Sequence, residues 1–228
     1  MEGRSQAAPT QQPNPTTIQP EKLPPVLHIN IVKNQHRDVT EWSLPQQLSQ
    51  AGIHGRVTGS NACTVIAVLS GMSFLDGNLS IPKQTTDLNK TIPEYIQMLK
   101  KGNDVYESFN LPPQSPNLDV QQILDKHDSN FSRLTISEDT GFFSTEELGN
   151  KLTDIVESSQ KCFGVLIVPP DKSMLLCFPE NAICLFESHS HGQHGGLIAT
   201  STTCNIHNFV MYLQQMVQLS CYSEARIS

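Results

Sequence analysis

Basic residues are in short supply. Fifteen Lys and Arg stand against 22 Asp and Glu, a formal net charge of −7, which disfavours nucleic acid as a partner held by a basic surface. Long apolar runs are missing as well. No stretch approaches the roughly 20 residues that a membrane-crossing helix needs, so no membrane partner is expected. Residues 1–6 have no apolar run behind them and read as no secretory signal. Closely paired cysteines are also lacking: Cys63, Cys162, Cys177, Cys184, Cys204 and Cys221 are scattered with no C-x-x-C among them. Without export, free thiols in a reducing compartment are a simpler reading than a disulfide framework, and the cytoplasm or nucleus is the expected location. Asn78-Leu79-Ser80 and Asn89-Lys90-Thr91 fit the glycosylation pattern, which carries no weight without secretion. No internal repeat is visible, and nothing in the sequence fixes an oligomeric state.

What is present suffices for one domain and a tail. Residues 1–24 are rich in Pro, Gln and Thr, with too little apolar surface to offset the entropy of ordering, and are expected to be disordered. Residues 25–228 are expected to form a single domain. Val26-Leu27-His28-Ile29-Asn30-Ile31-Val32 reads as a first strand or an extended arm. A short helix is expected from Ser43-Leu44-Pro45, with Ser43 as N-cap, and Gly52 and Gly55 ending it. A second helix is expected from Cys63 to a stop near Gly71. Thr91-Ile92-Pro93-Glu94 and Ser144-Thr145-Glu146-Glu147 have the form of capping boxes. Residues 117–127 suggest a further short helix, and Leu134-Thr135-Ile136 an edge strand. After Gln160 the pattern turns to short apolar runs separated by turns: Phe163 to Val168, Ser173 to Phe178, Ala182 to Phe186 and Gly196 to Thr200. These predict an antiparallel meander, closed by a last helix bearing Phe209, Tyr212, Leu213 and Met216. The fold class expected is α+β, helices first, then the sheet, then one helix.

Two short stretches bear chemistry. In Thr58-Gly59-Ser60-Asn61-Ala62-Cys63-Thr64-Val65-Ile66, a polar loop runs into an apolar segment with Cys63 at the junction. A thiol in the first turn of a helix meets unpaired N–H groups and the positive end of the dipole, which favour its thiolate. The same run also reads as core, because cysteine is among the most buried residue types. In Phe186-Glu187-Ser188-His189, residues two apart at a strand end point to one face, so Glu187 can orient the His189 ring as a triad needs. An isolated E-x-H is equally an exposed pair that solvates the strand end.

A cysteine opening an early helix and a histidine on a late sheet follow the layout of papain-like cysteine proteases. Gly55-Arg56-Val57-Thr58-Gly59-Ser60-Asn61-Ala62-Cys63 resembles the G-S-x-x-C segment of the ubiquitin-specific protease domain in the herpesvirus large tegument protein and of its transposon-encoded relatives. Leu185-Phe186-Glu187-Ser188-His189-Ser190-His191-Gly192 resembles their F-D-x-H, followed by an apolar strand such as Gly196-Leu197-Ile198-Ala199. The likeness spans about residues 40–220, with motifs at its two ends alone. It implies a papain-like fold, Cys63 as nucleophile, His189 as general base and acid, Glu187 as orienter, no cofactor, and ubiquitin or a ubiquitin-like protein as substrate. Two departures are plain. The family's acidic residue is usually Asp, one methylene shorter than Glu187. Its oxyanion-hole glutamine has no fixed counterpart here: Gln46, Gln47 and Gln50 are available, and Gln50 is the preferred choice beside the Cys63 N–H. Both departures equally suit a catalytically inactive module that binds ubiquitin or another protein.

His189, His191 and His194 also spell H-x-H-x-x-H near Cys184 and Cys204. Tight ligand pairs of the kind structural zinc sites use are missing, so no metal is assigned, and His191 and His194 are expected as exposed loop residues. The remaining cysteines read as core or inert thiols. Trp42 is expected to anchor the segment before the Cys63 helix, with a groove-lining role as the alternative.

Overall fold

Helices stack on both faces of one sheet. The structure is a computed structural model that describes residues 30–55, 60–112, 118–126, 139–142, 144–158, 160–168, 172–217 and 224–227. Strands β1 (Val32–His36) and β2 (Val39–Pro45) come first, then helices α1 (Cys63–Leu75), α2 (Leu88–Ser108) and α3 (Val120–Lys126). Strand β3 (Asp139–Phe142) and helix α4 (Thr145–Glu157) lead into the meander β4 (Cys162–Val168), β5 (Lys172–Phe178), β6 (Ala182–Glu187) and β7 (His194–Thr202). Helix α5 (Ile206–Val217) and strand β8 (Glu224–Ile227) complete the chain order. The sheet runs in the order β1-β2-β7-β6-β5-β4-β8-β3 with antiparallel pairing throughout. The chain is therefore a mixed fold of helices and antiparallel sheet.

The meander strands are apolar on both sides, as strands covered on both faces must be. Their two-residue period divides the core. Val165, Leu175, Cys184 and Phe186 face α1 and α2 with Trp42 and Leu44, whereas Leu166, Leu176, Leu185 and Leu197 face Leu148 and Leu152 of α4 and Phe209 and Leu213 of α5. Helix α1 has no polar face to offer water: every residue from Cys63 to Phe74 is buried. It lies across β4 and β5 and crosses α2 closely at Gly102, where a Cβ would come within 2.9 Å of the Ile66 Cα.

Several expectations are corrected. Two strands precede the helices, so the order is not helices first. No helix starts at Ser43: residues 39–45 form β2, because Thr40 to Ser43 and Pro45 pair with β7 and Trp42 and Leu44 are fully buried. Only the single turn Gly52–His54 before Gly55 is helical there, and Gly55 ends it at φ 60°. The first strand begins at Val32; residues 26–29 lie outside the described residues. Gly71 does not stop α1 but sits inside it against the Phe163 ring. Helix α2 starts ahead of Thr91, has no side-chain cap and carries Pro93 inside its first two turns; the capping box nearby, Gln84 with Asp87, belongs to the single helical turn Thr85–Asp87 that precedes it. The Ser144 box occurs as read, with the Ser144 hydroxyl accepting from the Glu147 N–H. The expected strand at Leu134 and the tail of residues 1–24 lie outside the described residues.

Candidate active site

Cys63 is the first residue of α1, after Ala62 and with no side-chain cap. It is 1 % exposed. Burial pushes its thiol up, but the hydrogen bond and charge of His189, together with the N–H and hydroxyl of Ser173, outweigh burial and hold it below its ordinary value. The second residue of β5 thus supplies two donors to the sulfur, and the Ser173 hydroxyl is itself fixed by Thr64 Oγ1 at 2.8 Å. An anion at Sγ sits at a helix N-terminus among donors, which is the environment of a reactive thiol.

Glu187 ends β6, and His189 comes two residues later. The Glu187 Oε1 accepts from the His189 backbone N–H at 2.9 Å and meets His189 Nδ1. Burial raises the Glu187 carboxyl, but hydrogen bonds and charge from His189 and His191 bring it down to about 2. Burial alone would lower His189; its hydrogen bonds to Cys63 and Glu187 and their charges carry it up to about 10. A chain of partners therefore runs from the Cys63 sulfur through the His189 ring to the Glu187 carboxylate. In it a thiolate–imidazolium pair is favoured, with the carboxylate behind.

Gln50 bridges the two halves of this arrangement. Its Nε2 donates to the Ser60 carbonyl at 2.6 Å, its Oε1 accepts from the Ser188 hydroxyl at 2.9 Å, and its backbone N–H donates to the Ser188 carbonyl at 2.7 Å. Asn103 of α2 locks the same segment. It donates to the carbonyls of Gln50 (3.0 Å) and Leu99 (2.8 Å) and accepts from the Ser60 hydroxyl at 2.6 Å. Among the described residues the Gln50 Nε2 has one acceptor, the Ser60 carbonyl, and an amide nitrogen carries two N–H groups.

Of the four residues selected from sequence, Cys63, His189 and Glu187 form one chain of partners, and Gln50 is bonded to Ser60 and Ser188 in the segments beside them. Ser173, Ser188 and Asn103 are bonded to these four and carried no sequence signal. His191 is partnered to them as well: its Nε2 meets Glu187 Oε2, so it is not a free loop residue. Trp42 is fully buried in the core shared with α1 and α2, its Nε1–H donating to Thr85 Oγ1 at 3.5 Å, and lines no groove. Among the described residues no three His, Cys, Asp or Glu side chains are arranged to hold a metal ion. Burial pushes the thiols of Cys177 and Cys184, paired across β5 and β6, well above the ordinary value, as expected of inert core thiols. Cys221 lies outside the described residues.

No protein-family model matches the chain, and no curated protein matches it. Among solved structures, it is similar to the ubiquitin-specific protease encoded by murine cytomegalovirus tegument protein M48, determined in complex with a ubiquitin-based suicide substrate. That similarity covers 80 % of this chain and 83 % of the viral chain, at 9 % identity and a TM-score of 0.48. A likeness of that strength assigns no activity, so the chemistry is read from the residues and geometry of the site itself.

Proposed function

We propose that the protein is a papain-like cysteine peptidase with Cys63, His189 and Glu187 as its triad and ubiquitin or a ubiquitin-like protein as substrate. One observation carries the chemistry: the buried thiol at a helix N-terminus is hydrogen-bonded to the His189 imidazole, whose Nδ1 meets a buried carboxylate. The substrate class is supported by the resemblance of the two motifs described from sequence. The free thiols suit a reducing compartment, and cytoplasm or nucleus is proposed on that ground.

In this reading the Cys63 thiolate attacks the scissile carbonyl. The developing oxyanion is received by the Cys63 N–H and the second amide N–H of Gln50. His189 protonates the leaving amine, and the acyl group stays on sulfur as a thioester. His189, now neutral, takes a proton from water, which attacks the thioester and releases the carboxylic acid, and the thiolate leaves to restore its pair with the His189 imidazolium. Glu187 keeps the ring in the tautomer and orientation these steps need.

A second reading is favoured by the 1 % exposure of Cys63 and by the engagement of both ends of the Gln50 amide inside the protein. It is a module that binds ubiquitin or another protein without cleaving it. A ubiquitin carrying a C-terminal thiol-reactive group separates the two under reducing conditions. The peptidase forms a covalent adduct that Cys63→Ala abolishes and His189→Ala slows by orders of magnitude. An intact chain that stays unlabelled while a control protease reacts, yet binds unmodified ubiquitin, would favour the binding module.

A further inference from the structure

The His191 side chain is left over by the triad, yet it meets the one Glu187 oxygen that His189 does not use. As a glutamate, Glu187 has one more side-chain torsion than an aspartate would. Its extra torsion gives the carboxylate more ways to turn away from the imidazole, and each must be suppressed for the orienter to act. The His189 backbone N–H and Nδ1 both engage Oε1. Two donors on one oxygen leave the carboxylate free to pivot about it. A donor on Oε2 removes that freedom.

We infer that His191 is a positioning residue for the proposed peptidase: it donates from Nε2 to Glu187 Oε2 and so fixes the plane in which Oε1 faces His189. The inference rests on the triad reading. The placement of His191 is built by backbone. His191 and His194 exchange N–H···O bonds of 3.0 and 2.9 Å across a tight turn, with Gly192 at φ 59°. That turn brings the ring back over the end of β6, four residues from Glu187. It also means that the side chain can be changed while the turn is kept.

The groups around Glu187 are few. Among the described residues His189 and His191 touch it; the Tyr95 hydroxyl of α2 and that of Tyr212 of α5 feel its charge, and both phenols are held protonated above their ordinary value, first by burial. Neither tyrosine offers a second charge near neutral pH, so the carboxylate's orientation falls to the two imidazoles. Removing His191 could act in two opposed ways. Loss of a positioning donor lets the carboxylate swing away, weakens the imidazolium and raises the pH at which the Cys63 thiolate forms. Loss of a mere competitor for the carboxylate leaves Glu187 wholly to His189 and lowers that pH.

The test is the pH dependence of Cys63 alkylation by iodoacetamide in the full chain, followed on the Cys63 peptide by mass spectrometry, which needs no substrate. His191→Ala is expected to move the midpoint of alkylation upward, and His191→Gln, whose amide can donate to the same oxygen without charge, to restore it toward wild type. With a ubiquitin probe, His191→Ala is expected to slow adduct formation about tenfold or more, with the loss in the rate at saturation and not in the half-saturating concentration. A His191→Ala midpoint equal to wild type or displaced downward, or a His191→Gln variant no better than His191→Ala, overturns the inference. A wild type that alkylates at low pH but ignores ubiquitin sinks the substrate reading and leaves the role of His191 standing. Retained thermal unfolding in both variants excludes a folding defect.

Discussion

Glu187 is 1 % exposed and yet carries a carboxylate driven down to about 2. Burial alone would neutralise it, so its charge depends on the donors that surround it: the His189 N–H, the His189 ring and the His191 ring. A depressed carboxyl contributes stability that is complete above its unfolded value of 4.5 and is lost as pH falls toward about 2. The stability advantage of the wild type over Glu187→Gln, read from urea unfolding at a series of pH values, is therefore expected to shrink steadily from pH 4.5 downward. The whole change amounts to about 3 kcal/mol. An advantage that is flat across this range would remove the case for a charged Glu187. His189 behaves in the opposite sense. With its value raised to about 10, its charge persists through neutral pH and goes as pH rises through that value. Ubiquitin-probe labelling is accordingly expected to hold its rate through pH 8 and to fall near pH 10, because the imidazolium that protonates the leaving group and steadies the thiolate is then gone.

At the scale of elements, the site depends on how closely α1 approaches its neighbours. Gly102 of α2 lets the two helices touch: an added Cβ would lie 2.4 Å from Ile66 Cγ1 and 2.9 Å from its Cα. Backbone cannot step aside as a side-chain tip can. Gly102 also adjoins Asn103, which ties α2 to Gln50 and Ser60. Gly149 in α4 is the contrasting case, since a Cβ there meets nothing within 4 Å. The same Gly→Ala change should therefore have opposite signs. Gly102→Ala is expected to destabilise by about 1–3 kcal/mol through overpacking. Gly149→Ala is expected to stabilise by about 0.5–1 kcal/mol, because alanine gives up less backbone freedom on entering a helix. Thermal or urea unfolding of the two variants checks both.

At the scale of the molecule, the sheet separates two apolar cores, and the candidate site sits where the start of β5 and the end of β6 meet the start of α1. The helix layer supplies the sulfur and the sheet supplies the imidazole, the carboxylate and the Ser173 donors. Neither layer holds a complete site, so the chemistry requires the packed whole. Residues 1–24 carry too little apolar surface to extend either core. We propose on that basis that the domain begins near residue 25. A chain lacking residues 2–24 is expected to unfold at the same temperature as the full chain and to alkylate Cys63 with the same pH midpoint; a lowered unfolding temperature would move the boundary upstream.

Local features of this fold are legible in short windows of its residues. Short apolar runs separated by turn residues wrote the meander from Cys162 to Thr202, the Ser144–Glu147 box wrote the start of α4, and the change from polar loop to apolar run put Cys63 in the first turn of α1. Those signals lie within a few residues of one another, so they can be read without knowing what packs on what. The residues around Ser43 show the limit. A serine followed by Leu-Pro looks like a helix start, but pairing with β7 and burial of Trp42 and Leu44 won over that local preference. The rest of the site was decided by tertiary structure. Thr64 and Ser173 are 109 residues apart, Gln50 and Ser188 are 138, and Gln50 and Asn103 are 53. Partners at such separations are fixed by strand register and helix packing, which no short window of sequence contains. Even His191, four residues from Glu187, required the turn to His194 to bring its ring back onto the carboxylate.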